Sequence, residues 1–293
     1  MTAAAAELPV PRESVAARVV RVLLKAPMNL LLMVVGLLWL VPTIGLFITS
    51  ILPLSALATS GWWQIFSHPS VATWSNYSAL FHDSGLLTAL KTTAYIAVGN
   101  TALVVILGAM AGYAFAWLDF PGRDWAFIGV IALLVVPLQM ALIPMFRLYD
   151  TFGLFDTWYG IALFHTAFGL PFAIFLLRNF FAGLPKDILE SARIDGASEI
   201  RIFLRLILPL GLPAIASLAI FQFLWTWNDL LVALTFGQNT TPITVWIAGQ
   251  LREFGSSLDI IAPASFISLV IPLAVFFAFQ RYFVQGLLAG SVK

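Results

Sequence analysis

The chain has 293 residues, of which 61% are hydrophobic and only 10% charged, with a mean hydropathy of +0.97. Soluble domains carry about 25% charged residues, so this chain cannot cover a water-facing surface of its size and must be polytopic in a membrane, where backbone pairing restricts it to helices. A net charge of +1 gives no ground for a nucleic-acid partner, the lack of cysteine excludes disulfide and thiol chemistry, and no G-x-x-x-x-G-K-[ST] loop is present to hold a nucleotide.

Residues 1–27 read as an Ala-rich tail bearing Arg12, Arg18, Arg21 and Lys25, and 28–293 as one membrane domain. The apolar run from about Met28 to Leu52 is too long for a signal-peptide core of roughly 7–15 residues. It reads as a first span, since about 20 residues cross the hydrocarbon. Ser55 to Leu86 is a more polar excursion without Lys or Arg, and its Trp62, Trp63 and Trp74 suit the headgroup level. Asn76 and Asn239 open glycosylation-type triplets, a pattern that chance also produces.

A second span covers about Leu87 to Leu118, with Lys91 snorkelling at its start and Asn100 deeper. After a tight turn over Asp119–Asp124, a third span covers about Trp125 to Phe146 and contains Pro137 and Gln139. A short loop follows to Trp158. A fourth span, about Tyr159 to Leu177, holds His165, Gly169 and Pro171. A fifth covers about Leu210 to Thr235 and a sixth about Ile261 to Tyr282. The fold class expected is therefore an all-α membrane protein of six transmembrane helices.

Six spans put both termini on one side. With the N-terminus inside, only Lys91, Arg147 and Arg252 of the 15 Lys and Arg residues fall near the outer face, which leaves twelve inside. The positive-inside rule then makes both termini cytoplasmic, together with the polar stretch between the fourth and fifth spans.

That stretch, about 184–209, carries Lys186, Arg193, Arg201 and Arg205 beside Asp187, Glu190, Asp195 and Glu199. Pro185 suits the first position of a short helix, and early acidic residues suit its N-terminus. Gly196 suits a left-handed stop, and Ser198 can cap a second helix. In that second helix Ile200, Phe203, Leu204 and Ile207 form an apolar stripe at helical spacing. Spacing alone also fits an amphipathic hairpin lying on the bilayer surface.

The stretch resembles the EAA loop of binding-protein-dependent ABC importer permeases. That signature reads Glu-Ala-Ala, three residues, Gly, nine residues, then Ile-x-Leu-Pro. Here Glu190-Ser191-Ala192, Gly196 and Leu206-Ile207-Leu208-Pro209 occupy it, with Ser191 in place of Ala and Leu206 in place of Ile. The run from Ala192 through Asp195, Gly196, Ala197 and Ser198, with Phe203 following, is similar to the carbohydrate branch.

The resemblance implies that Glu190, Ser191, Ala192, Asp195, Gly196, Ala197, Ser198, Phe203 and Pro209 form a coupling element docked on a cytoplasmic ATPase, with Glu190 facing a basic residue there. It implies a second homologous permease, two ABC ATPase subunits and an extracytoplasmic solute-binding protein at a bacterial plasma membrane. The chain itself is then no enzyme. It needs no cofactor and no metal, since ATP is bound by the partner subunits. In related permeases the loop corresponding to Gly237–Pro242 reaches into the binding protein, and tails like Gly286–Lys293 contact the ATPase pair.

Four polar or aromatic residues are candidates for the translocation path: Gln139, Gln222, Trp225 and Asn228. Polar groups in a span are costly and face a cavity or a neighbouring helix. Sugars suit aromatic faces beside amides, so a sugar, an oligosaccharide or glycoside, is the expected cargo. A polyol, polyamine or phosphonate is the alternative. An interfacial belt or helix capping also accounts for Trp225 and Asn228. Intramembrane enzymes would need H-E-x-x-H or G-x-S-x-G, which are absent. Secondary carriers would need carboxylates at membrane depth. His165 has no acidic neighbour within its own span.

Overall fold

Lipid offers no hydrogen bonds, so a chain this apolar must pair its backbone internally. The computed structural model describes residues 15–253 and 257–289, and the described residues are helical nearly throughout. In chain order the helices are α1 (Val15–Ser50), α2 (Leu54–Thr59), α3 (Ser75–His82), α4 (Ser84–Trp117), α5 (Arg123–Leu133), α6 (Leu138–Thr151), α7 (Trp158–Ala182), α8 (Lys186–Ile194), α9 (Glu199–Ile202), α10 (Leu208–Leu210), α11 (Leu212–Trp227), α12 (Leu231–Phe236), α13 (Ile243–Glu253) and α14 (Leu258–Ala289). α1 begins at Val15, so the second half of the expected tail is already helix. Residues 1–14 and the last four of the C-terminal tail lie outside the described residues.

Among these residues four helices are long and apolar enough to cross a membrane, and two bent pairs bring the total to six if each pair is one span. The expected third span is one of the bent pairs: α5 and α6 meet at 98°. The cause is Pro137, which lacks an N–H to continue the ladder and forces the preceding backbone away from helix. The second bend, 75°, lies at Gly211 between residues 199–210 and α11.

α4 is the central helix. It packs along α7 and α11, and α11 packs in turn on α14, against which α1 also lies. The approach of α4 to α7 depends on small residues, as in other membrane helix pairs. A Cβ on Gly108 would stand 2.8 Å from the Ala173 Cβ, and one on Gly112 would stand 3.0 Å from the Leu177 Cβ. At one end of this packing a core gathers Tyr113, Leu177 and Phe181 with Leu189, Ile202 and Ile207 of the polar stretch. At the other end Leu80, Leu86 and Ala89 meet Ile243 and Ala264.

The polar excursion after α1 is pinned rather than loose. Asn76 donates from Nδ2 to the carbonyls of Ser50 (3.1 Å) and Leu52 (2.9 Å), so its sequence triplet has a structural use. Asp83 caps α4 by accepting from the N–H of Gly85 and of Leu86. The fifth span ends at Trp227, earlier than expected, because the Asp229 carboxylate turns inward to accept from the N–H of Val232 (3.3 Å) and Ala233 (3.0 Å) and so starts α12 afresh.

Candidate functional site

The polar stretch folds as a helical hairpin at one end of the bundle. Pro185 sits just before α8 with an extended ψ of 127°, rather than within its first turn. α8 ends in a complete left-handed cap. Gly196 has φ +79°, its N–H donates to the Arg193 carbonyl, and the Ala197 N–H donates to the Ala192 carbonyl, each at 3.0 Å. This pair of bonds is the Schellman closure, and its central residue needs glycine because a Cβ is strained at positive φ. Ser198 differs from expectation: its backbone is extended, but its side chain makes no capping bond.

The second arm also departs from the expected stripe. Between α9 and α10, Phe203–Ile207 form a π turn. Its i→i+5 pairing moves the buried positions to Ile202 and Ile207, five apart and 1% and 0% exposed. Ile200 and Leu204 are left 73% and 54% exposed. Together with Ile194, 86% exposed, they give the hairpin an outward apolar surface of the kind that marks a protein contact. Glu190 shares the exposed side and has no hydrogen bond or ion pair among the described residues. Ser191, exposed, donates its hydroxyl to the Asp187 carbonyl (2.6 Å). Ala192 and Ala197 pack at the edge of the core. Phe203 lies against Tyr113, ring centroids 5.3 Å apart. Asp195 and Pro209 are exposed.

An ionic network that sequence reasoning missed ties the hairpin to the bundle. Arg193 donates from Nε to Glu199 Oε1 (2.9 Å) and from Nη2 to the Trp117 carbonyl (3.2 Å). Tyr113, from α4, donates its hydroxyl to the other Glu199 oxygen. Trp117 in turn donates from Nε1 to the Phe181 carbonyl of α7 (2.9 Å). The Arg193 hydrogen bond holds the Glu199 carboxyl below the usual glutamate range; partial burial opposes this, and Tyr113 adds to the lowering. The spacing of Arg193 and Glu199 across a glycine turn was the one available signal for the pair.

At membrane depth, Asn100 is fully buried and joins three helices, donating to Thr226 Oγ1 (2.6 Å) and accepting from Thr166 Oγ1 (3.2 Å). His165 does have an acidic neighbour, supplied by another segment: its Nε2 lies 3.4 Å from Asp229 Oδ2. Neither ring nitrogen has hydrogen-bond geometry to a partner, so the contact is proximity rather than a formed hydrogen bond. Of the four expected path residues, Gln222 and Trp225 line one cleft with Phe168, Gly169, Phe172 and Phe221. Gln139 is exposed near the start of α6 and does not line it. Asn228 is exposed and caps α11 by donating to the Leu224 carbonyl (2.8 Å).

The opposite end of the bundle is held by Asp156. One carboxylate oxygen accepts from the N–H groups of Gln238, Asn239 and Thr240, each at 2.8 Å, and the other accepts from Asn239 Nδ2 at 2.7 Å. Asp156 adopts a left-handed φ of 55° to present itself. Burial raises its carboxyl's pKa, but these four hydrogen bonds outweigh it and leave the group below the usual aspartate range.

Fold and site together define a multi-span helical membrane subunit with a protruding, bundle-anchored hairpin. Residues 104–288 match the family described as the binding-protein-dependent transport system inner membrane component, and the chain belongs to that family. It is 46% identical over 275 residues to the osmoprotective compounds uptake permease protein GgtD of Synechocystis sp., covering 92% of each chain. It is 49% identical over 233 residues to the alpha-glucoside transport system permease protein AglG of Rhizobium meliloti, covering 77% of this chain and 61% of that one. Its fold is similar to a chain of a bacterial ABC transporter involved in the import of the acidic polysaccharide alginate, with a TM-score of 0.74 at 24% identity over 94% of this chain and all of the other.

Proposed function

We propose that this chain is the permease subunit of an ATP-driven importer and carries a neutral sugar or glycoside handed to it by an extracytoplasmic binding protein. The observation that carries the reading is the hairpin of α8 to α10. It exposes Glu190, Ile194 and Ile200 outward while Leu189, Ile202 and Ile207 root it in the same core as α4 and α7. Force applied at the exposed face by an ATPase is delivered to the spanning helices through that core and through the Arg193–Glu199–Tyr113 network. Glu190, Ser191, Ala192, Asp195, Gly196, Ala197, Ser198, Phe203 and Pro209 are its coupling residues in this reading. A second permease completes the pathway, two ATPase subunits dock inside, and rocking of the helices gives alternating access. The twelve-to-three Lys and Arg bias supports a cytoplasmic hairpin and cytoplasmic termini.

The relatives' names, an alpha-glucoside and an osmoprotective-compound permease, support a small polyhydroxylated cargo. A polyamine or phosphonate would require opposite charge along the path, and the cleft holding Gln222 and Trp225 has no charged side chain. The test is reconstitution of the chain with its partner permease, ATPase and binding protein in liposomes. ATP-dependent uptake of radiolabelled trehalose, sucrose or maltose is the expected result. ATPase that fails to associate with the permease pair, or uptake that persists without this chain, would sink the reading.

A further inference from the structure

Resting on that reading, we propose that His165 and Asp229 are positioning residues for transport. They form a polar latch between α7 and the break in the fifth span, completed by one water molecule and made and unmade in each cycle. Asp229 stands in the break between α11 and α12. Its two carboxylate oxygens accept from the N–H groups of Val232 and Ala233 and so start α12, and its own carbonyl accepts from the Thr244 hydroxyl of α13 at 2.5 Å. His165 reaches the same break from α7, with Nε2 3.4 Å from Asp229 Oδ2; the two side chains are 1% and 13% exposed. Both line a cavity of about 10 Å³, together with Thr93 of α4 and Thr226 of α11. That is room for about one water.

Packing alone does not explain this histidine. Neither ring nitrogen is hydrogen-bonded among the described residues, and a polar group buried so deeply without a partner is costly. A phenyl ring would fill the position without that cost. A water in the cavity meets an imidazole nitrogen, a carboxylate and two hydroxyls, which between them donate and accept. A small shift of α12 toward α7 turns the 3.4 Å approach into a direct hydrogen bond and expels that water. The pair therefore has two arrangements, one wet and one direct, and a transport cycle runs on elements of that kind. α12 carries the shift outward. It is six residues long, and at its far end the Phe236 carbonyl accepts from the N–H of Asp156, the residue that clamps the loop of residues 237–242.

The test is made in the assembled importer in liposomes, with whichever of trehalose, sucrose and maltose the wild-type complex takes up. His165→Phe keeps a ring and removes both nitrogens. His165→Gln keeps an amide that can donate and accept. Asp229→Asn keeps an acceptor for the start of α12. His165→Phe should lower kcat for uptake about tenfold, the scale of one buried hydrogen bond, while KM is unchanged and the melting temperature of the complex holds or rises. His165→Gln should recover most of the wild-type kcat. The double variant His165→Phe with Asp229→Asn should be no slower than the slower single one, because both remove the same contact. A wild-type kcat in His165→Phe overturns the proposal. So does a kcat that falls together with assembly or melting temperature, which marks a histidine that only packs. A His165→Gln chain no faster than His165→Phe overturns it as well, and so do losses that multiply in the double variant. A wild-type complex that assembles but shows no ATP-dependent uptake brings down the importer reading instead, and shows this before any variant is made.

Discussion

Gly196 is the residue at which sequence and structure agree most directly, because one backbone angle demands it. At φ +79° a β-branched side chain costs about 1–2 kcal/mol. Gly196→Val should therefore insert and assemble normally yet lose most transport, read as uptake per assembled complex. Uptake at the wild-type level would remove the turn from the mechanism. Glu199 was not legible, since nothing in the sequence says that Tyr113, on another helix, meets it. Its carboxyl titrates below the ordinary value, so the stability it adds is present above the unfolded glutamate pKa and is lost as pH falls through the lowered folded one. The group is 42% exposed, which discounts the pair to about 1 kcal/mol or less. Glu199→Gln should then lower the melting temperature of the purified protein by about 1–3 °C at pH 7, and the gap should close as pH falls through the lowered Glu199 pKa. A gap independent of pH would show that the ion pair is not its source.

The elements that cross the membrane were legible from their apolar runs, and the ways in which they break were less so. Pro137 was visible inside the third run, but a proline kinks some helices and ends others, and only packing decides which. Here it ends α5 and turns the chain by 98°. The π turn at Phe203–Ile207 was invisible, because it swaps one apolar residue for another without altering composition. Nothing in the sequence of residues 237–242 points to a tether, yet Asp156 accepts four hydrogen bonds from this loop. Asp156→Ala should free that loop while leaving the bundle intact. Amide exchange at residues 238–240 should rise by about tenfold or more, since each lost charged hydrogen bond is worth about 1.5–3 kcal/mol. Unchanged protection would mean that α12 and α13 hold the loop without it.

At the scale of the whole molecule the bundle has two ends joined by α4 and α7, the hairpin at one and the Asp156 clamp at the other. The absence of cysteine makes the arrangement measurable. Ser191→Cys should react with an impermeant maleimide only from the cytoplasmic side, and Gln238→Cys only from the outside. Reaction of both from the same face would refute a bundle that spans between them.

Composition alone determined that this chain lives in lipid as helices, because an apolar sequence has no other way to pair its backbone. Motif spacing determined where the hairpin turns, because a left-handed glycine is a local feature. Tertiary structure alone decided which polar groups meet: Asn100 with Thr166 and Thr226, His165 beside Asp229, Glu199 with Tyr113, and Gln222 over Gly169. All of these contacts join residues more than fifty positions apart. Helix packing sets such contacts, and a periodic sequence is nearly silent about which face of one helix meets which face of another.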